Sequence, residues 1–516
     1  MNSVALTIGL LILSLFSSMT ARADCSNVSD VPTSATGLWL WSRVNSNDGT
    51  TLVTYFEMLQ DGERVDGHVE YSWGGAPHIE GRMQGNCLSF SLEGDLGTLY
   101  TGVIDGTKMS VTVHGPKETS QMELVRLPLG SPKYGSPATL PELSSVASNE
   151  LASTPPMGWN AWNHFHDYLD DKTVREIVQS MISSGMRDAG YVYVNIDDEW
   201  SGERDITGQI QSNRNFPDMK RLAEYVHSNG MKIGLYSSPG PQTCEGHLGS
   251  LGHESADALV YASWGIDYLK YDWCSAAFVY SDSDMRQVYQ RMGTALRNAG
   301  RPIVYSLCQY GKEDVWKWGG LVGGNLWRTT PDIQDKWSSV QSIWDAQKSI
   351  LRFNKPGGWN DPDMLEVGNG GMSEDEYRAH FTLWAFLAAP LIAGNDPRTM
   401  SKSALDILTN KDVIAIDQDS RGSVPQELGR SKGLEVWWKE LSNNDAAILI
   451  VNFDDVPEGA ALVWDCPKFN AKDLWSHEAI TIDKNYAVDL VPHTVKLLRV
   501  SKSIGVPRVV YKKSAE

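Results

Sequence analysis

Apolar and polar positions alternate in short runs from about Asp24 to Pro128, as in Leu52 to Phe56, His68 to Tyr71, Leu88 to Leu92 and Met109 to Val113. Gly, Asp and Asn break these runs at short intervals. A period of two with frequent turn residues predicts a small antiparallel β domain over 24–130. The stretch LPLGSPKYGSPATLPELSS that follows is rich in Pro, Gly and Ser, and it predicts a linker over 131–152.

The period changes at Thr154. Strand-like apolar runs (MGWNAW, YVYVNID, KIGLYSS, GIDYLKYD, PIVYSL, GNLWRTT, GGWND and PLIAG) now alternate with amphipathic helical stretches at 171–185, 219–228, 283–299 and 373–387. Eight strands with intervening helices predict a (β/α)8 TIM barrel over 153–418. Strand patterns return after Asp417 in GLEVWWKEL, AAILIVNF, ALVWD, YAVDLV and HTVKLLRV, predicting an antiparallel β-sandwich over 419–516. The fold class is therefore multidomain, with a β/α barrel between an N-terminal antiparallel β domain and a C-terminal sandwich.

Ahead of these elements, an apolar run from Val4 to Phe16 precedes small residues and Ala-Arg-Ala at 21–23. That shape predicts a signal peptide over 1–23, although the run has no basic residue before it. It falls short of the ~20 residues a spanning helix needs, and no later stretch is long enough. The expectation is a secreted or periplasmic protein with no membrane attachment after cleavage. An oxidising compartment would let its 6 cysteines pair. Cys25 and Cys87 fall in the same predicted domain, and Cys244 and Cys274 follow consecutive predicted strands; Cys308 and Cys466 have no evident partners.

Composition narrows the class of ligand. A formal net charge of -19 over 516 residues gives no electrostatic footprint for nucleic acid or anionic lipid, and suits neutral substrates. The 19 tryptophans supply core packing first, and flat faces for sugars second.

In a TIM barrel, catalytic groups stand at the C-terminal ends of the strands. Lys270 and Asp272 are two residues apart at the end of GIDYLKYD, so they point the same way. The neighbouring ammonium would keep Asp272 ionised, as a nucleophile must be; the alternative is a structural ion pair. Arg328 and Asp332 follow another strand in GNLWRTTPDIQDKW. Asp332 or Asp335 could be a helix cap, or Asp332 could be a general acid whose pKa the anionic Asp272 raises. Retaining glycoside hydrolysis needs two such carboxylates, one attacking the anomeric carbon and one exchanging the proton. Asp197 and Asp198, Asp363, and Trp159 and Trp162 lie at three further strand ends. The carboxylates suit sugar hydroxyls, and either indole suits an apolar sugar face. No metal or cofactor is expected, because no His or carboxylate cluster with ligand spacing accompanies Asp197 and Asp198.

The motifs TPPMGWNAW, NIDDEW, LKYDWC, LWRTTPDIQDKW, GGWNDPDML, LAAPLIAGND and NKDVIAIDQD occur in this order and closely resemble glycoside hydrolase family 27, the α-galactosidases and α-N-acetylgalactosaminidases. The resemblance covers about Thr154 to Asp419 and extends to the sandwich, but not to the N-terminal domain. It implies Asp272 as nucleophile and Asp332 as acid/base. It further implies sugar contacts from Trp162, Asp197, Asp198, Tyr236, Lys270, Arg328, Asp363 and Met364, and a disulfide between Cys244 and Cys274.

Four positions depart from the family pattern. Glu199 stands where a cysteine is common, Trp273 is a bulky residue expected at the pocket rim, and Gln309 and Tyr310 replace Glu and Trp. Cys308 and Tyr310 would face the sugar 2-substituent and favour a free hydroxyl. The resemblance therefore implies an exo-acting α-galactosidase on carbohydrate substrates. α-N-acetylgalactosaminidase and β-L-arabinopyranosidase are the alternatives within the family, and a non-catalytic glycan-binding protein is the alternative outside it. The N-terminal domain reads equally as a glycan binder or a structural cap, and the oligomeric state stays open.

Overall fold

A computed structural model describes residues 33–128, 131, 133 and 138–512. The predicted signal peptide and Cys25 lie outside the described residues. Strand residues 37–42, 54–70 and 76–126 fall in one compact unit, while 43–53, 71–75 and the chain from 138 onward fall in another.

The N-terminal β domain is a closed antiparallel barrel of eight strands in sequential order. Its alternation is plain in His78–Gln84, where every second residue is buried: Ile79, Gly81 and Met83 face in and the residues between them face out. This strand pairs with Cys87–Leu92 from Ile79↔Leu92 to Gln84↔Cys87. Closure removes the exposed edges that an open sheet of this size would carry.

In the second unit, eight parallel strands form one sheet. In chain order they are Met157–Asn160, Tyr193–Asn195, Lys232–Ser237, Tyr268–Asp272, Val304–Cys308, Leu326–Arg328, Trp359–Asp361 and Leu391–Ala393. The sheet runs from the seventh strand through the sixth and so on to the first, then the eighth, and a parallel bridge Leu365↔Ala393 links its two ends. This curled arrangement fits a (β/α)8 barrel.

Within it, the strands change character along their length. Their first residues, Tyr193, Tyr268, Val304, Leu326 and Trp359, pack as one apolar layer. The helices between strands bury one stripe each. Asp171–Ser183 is N-capped by the Asp170 carboxylate, which accepts from Thr173 N–H at 2.8 Å, and it buries Val174, Ile177, Val178 and Met181.

The region predicted as a linker is not free of the barrel. Residues 138–152 have no helix or strand, yet the Asn149 amide donates to Ile303 C=O at 2.8 Å and Val146 N–H to Leu321 C=O at 2.8 Å. After the last barrel helix, an antiparallel six-stranded sheet and a three-stranded sheet form the C-terminal domain. No helix among the described residues is long and apolar enough to cross a membrane.

Candidate active site

Period two turns Tyr268, Lys270 and Asp272 to one side of the fourth strand, while Leu269 and Tyr271 join the core beneath the helices. Tyr268 is in the apolar layer, and the two polar residues after it face a cavity of about 320 Å³. That is near the small end of the ~300–1,000 Å³ range of ligand sites. Asp197 and Asp198 after the second strand, Tyr236 of the third, Arg328 of the sixth and Asp363 after the seventh face the same cavity. Trp162, Tyr310, Asp332 and Met364 complete its predicted lining.

Asp272 is 4 % exposed. Its Oδ1 accepts from Tyr310 O–H at 2.8 Å and its Oδ2 from Tyr236 O–H at 3.1 Å. The ammonium of Lys270 does not bond to it, but donates to Asp197 Oδ2 at 2.9 Å, where Asn160 also donates at 2.7 Å. Burial pushes the Asp272 carboxyl up to about 6, with Lys270, Tyr310 and Arg328 opposing and Asp332 adding to the rise. Lys270 lowers the group as its charge requires, but desolvation outweighs the lysine.

Arg328 is buried between two carboxylates, Asp332 at 2.8 Å and Asp363 at 2.9 Å. The Asp332 side chain is 67 % exposed. Burial acts to raise its carboxyl, but the Arg328 charge and hydrogen bond, with Lys270, outweigh it and hold the group below the usual range. This reverses the sequence expectation that Asp272 raises it. The reason is a short cation contact that strand order alone does not reveal.

Asp198 accepts from the N–H groups of Glu199 at 2.8 Å and Glu245 at 3.0 Å, and burial raises its pKa. Asp363 takes φ +87°, Tyr310 +61° and Glu199 +71°. Left-handed backbone at non-glycine residues costs ~1–3 kcal/mol each and is held by its surroundings. For Asp363 these are Arg328, Ile333 N–H at 2.8 Å on its Oδ2, and the Asp361 carboxylate at 2.9 Å on its own N–H.

Three departures from the family pattern lie away from the cavity. Trp273 is 3 % exposed and stacks on Tyr289 at 5.9 Å, so it is core and not rim. Gln309 is buried with neither amide atom hydrogen-bonded. Cys308 is a buried free thiol behind Arg328, its Sγ 3.7 Å from the guanidinium. Glu199 sits by the buried ring of His247 at 4.0 Å, and burial with neighbouring carboxylates pushes its pKa up to about 9. Tyr310 alone of the four reaches the site, as a donor to Asp272. Trp159, the other indole considered for stacking, is fully buried and donates to Asn395 C=O.

Cys244 and Cys274 form the disulfide, with Cα atoms 4.9 Å apart. Cys466 is free. Among the described residues, ligand atoms of Cys244, Asp272 and Cys274 lie close together, but the disulfide occupies both sulfurs. The cavity also has linings that the strand patterns did not reveal: Asn163, Glu245 and Trp73. Trp73 belongs to the turn YSWGG, whose only sequence signal is an indole beside two glycines.

Residues 154–419 match the family described as Alpha galactosidase A, and residues 431–500 match the alpha galactosidase C-terminal beta sandwich domain. The chain belongs to glycoside hydrolase family 27. A member from Oryza sativa, an alpha-galactosidase, is 43 % identical over 68 % of this chain and 85 % of its own length. Alpha-galactosidase A of Cellvibrio japonicus is 42 % identical over 70 % of this chain and 95 % of its own. The crystal structure of alpha-galactosidase I from Mortierella vinacea superposes with a TM-score of 0.66 at 35 % identity, covering 68 % of this chain and 98 % of that one. The family matches begin at residue 154 and leave the N-terminal barrel outside them.

Proposed function

We infer that the protein is a retaining exo-α-galactosidase acting on terminal α-D-galactosyl residues of oligo- or polysaccharides. The observation that carries this reading is the pairing in one cavity of an enclosed carboxylate, Asp272, held by two phenols, with an exposed carboxylate, Asp332. The matched motifs, and not the ionisation order of the free protein, assign the two tasks. Asp272 attacks the anomeric carbon as the glycosidic C–O bond breaks, and Asp332 gives its proton to the departing oxygen. Water then attacks the galactosyl ester of Asp272 while Asp332 takes its proton, restoring both groups. The carboxylates of Asp197, Asp198 and Asp363 and the cations Lys270 and Arg328 present acceptors and donors to the sugar hydroxyls.

Galactose is supported over other sugars by the α-galactosidase names of the relatives at 42–45 % identity. Matched nitrophenyl glycosides test it, with the α-galactoside expected to be hydrolysed fastest; faster turnover of the β-L-arabinopyranoside or the α-N-acetylgalactosaminide would overturn it. Proton NMR should show α-galactose as the first product, and Asp272→Ala should abolish hydrolysis. First release of the β-anomer, or a fully active variant, would refute double displacement through Asp272. Export with cleavage after Ala23 belongs to the same proposal and rests on the apolar run and the Ala-Arg-Ala site. N-terminal sequencing of the exported protein checks it.

A further inference from the structure

Exposure grades across the cavity. Asp197, Asp272, Arg328 and Asp363 are buried, whereas Asp332 and Trp73 stand in solvent at 67 % and 58 % exposure. The buried groups surround the sugar being transferred, so the exposed ones mark the mouth through which the leaving group enters and departs.

This solvent-facing tryptophan is held in place. Tyr71 N–H donates to Gly75 C=O at 2.9 Å and Gly74 N–H to Tyr71 C=O at 2.9 Å, closing the turn. The Tyr71 ring stacks on the indole at 5.6 Å with planes 14° apart. The indole lies so close over Gly75 that a Cβ there would stand 1.7 Å from it, so no other residue is compatible with this orientation. Ser72 O–H donates to Cys244 C=O at 2.6 Å, which ties the turn to the disulfide loop. That loop is bonded to Cys274, two residues beyond the nucleophile. The indole is therefore pre-oriented at low entropic cost against the same frame that holds Asp272.

We propose that Trp73 is the platform of an aglycone subsite for a hexopyranosyl leaving group, whose C–H face stacks on the indole while Asp332 serves the bridging oxygen. The residue comes from a turn outside both segments that match the family, so this subsite is a property of the added N-terminal region. Glu245 lines the same cavity and, with burial pushing its pKa up to about 7, presents a protonated carboxyl to hydroxyls of the same sugar at acidic pH.

The inference rests on the α-galactosidase reading, and a pair of substrates separates the two. Melibiose carries a glucosyl leaving group, and α-galactosyl fluoride carries none that could stack. In Trp73→Ala the ratio of kcat/KM for melibiose to that for the fluoride should fall roughly three- to tenfold, mostly through KM, the scale of one aromatic contact. Trp73→Phe should restore most of the ratio. An unchanged ratio, with or without an equal loss on both substrates, overturns the platform, and an unfolding midpoint close to wild type confirms that both variants are folded. A wild type inert on the fluoride refutes the activity instead.

Discussion

Removing one hydroxyl, in Tyr310→Phe, separates the ionisation of the two aspartates from their chemistry. The productive site has one proton, on Asp332, with Asp272 ionised. In the free protein, however, Asp272 is pushed up to about 6 while Arg328 holds Asp332 below the usual range. The pair's single proton therefore rests mainly on the nucleophile, and the productive arrangement is the minor one. kcat/KM should accordingly be greatest at acidic pH. It falls above about 6, where the last proton leaves, and again below the ordinary carboxylate range, where both groups are protonated.

Tyr310 donates to the ionised form of Asp272 at 2.8 Å. A hydrogen bond to a charged group contributes ~1.5–3 kcal/mol, so its loss should raise the Asp272 pKa by roughly 1–2 units. The alkaline limb should then move from about 6 to roughly 7–8, and the acidic plateau should fall about tenfold or more because the proton leaves Asp272 less readily. Above about pH 8 the two profiles should converge. There both groups are ionised, and only the affinity of Asp332 for the incoming proton matters, which Tyr310 does not touch. The assay is kcat/KM on melibiose from pH 3 to 9, because departure of its sugar oxygen, unlike that of fluoride, needs the proton of Asp332. A loss uniform across pH, or a limb that stays or moves down, would refute this account of Tyr310.

Three further outcomes follow from the same packing. Because the folded Asp272 pKa lies above its unfolded value, its contribution to stability is full below about pH 4 and is lost as pH rises through about 6. Asp272→Asn should thus be more stable than wild type at pH 7 by up to ~3 kcal/mol, with the gain vanishing near pH 4 in denaturant titrations. Replacing Cys244 and Cys274 with serine opens a tether across 30 residues and should cost ~3–4 kcal/mol in urea unfolding, with lower activity because Tyr236 O–H lies 3.1 Å from Cys274 Sγ. Between the barrel and the sandwich, buried Lys439 is lowered to about 8 and buried Asp417 is raised, both first by desolvation. Lys439→Met should push the Asp417 carboxyl further up by removing the nearby positive charge, read as an upward shift in its titration.

The chain's own pattern determined the architecture, because a period of two or of 3.6 follows from burying one face of a strand or helix. All eight parallel strands lie where apolar runs announce them, and helix 219–228 has the bounds its periodicity predicts. The same pattern placed Lys270 and Asp272 on one side of a strand, and motif order assigned Asp272 and Asp332 their roles. What the sequence could not decide is how charges meet across strands. Lys270 serves Asp197 and not Asp272, Arg328 binds Asp332 and Asp363 together, and these contacts reverse the expected ordering of the two carboxyl pKa values. Trp273 reads as a rim residue until its indole is seen packed on Tyr289, while Trp73, remote in sequence, stands at the cavity mouth. Burial and Coulomb interaction depend on distances between segments far apart in the chain. Only the tertiary structure sets those distances.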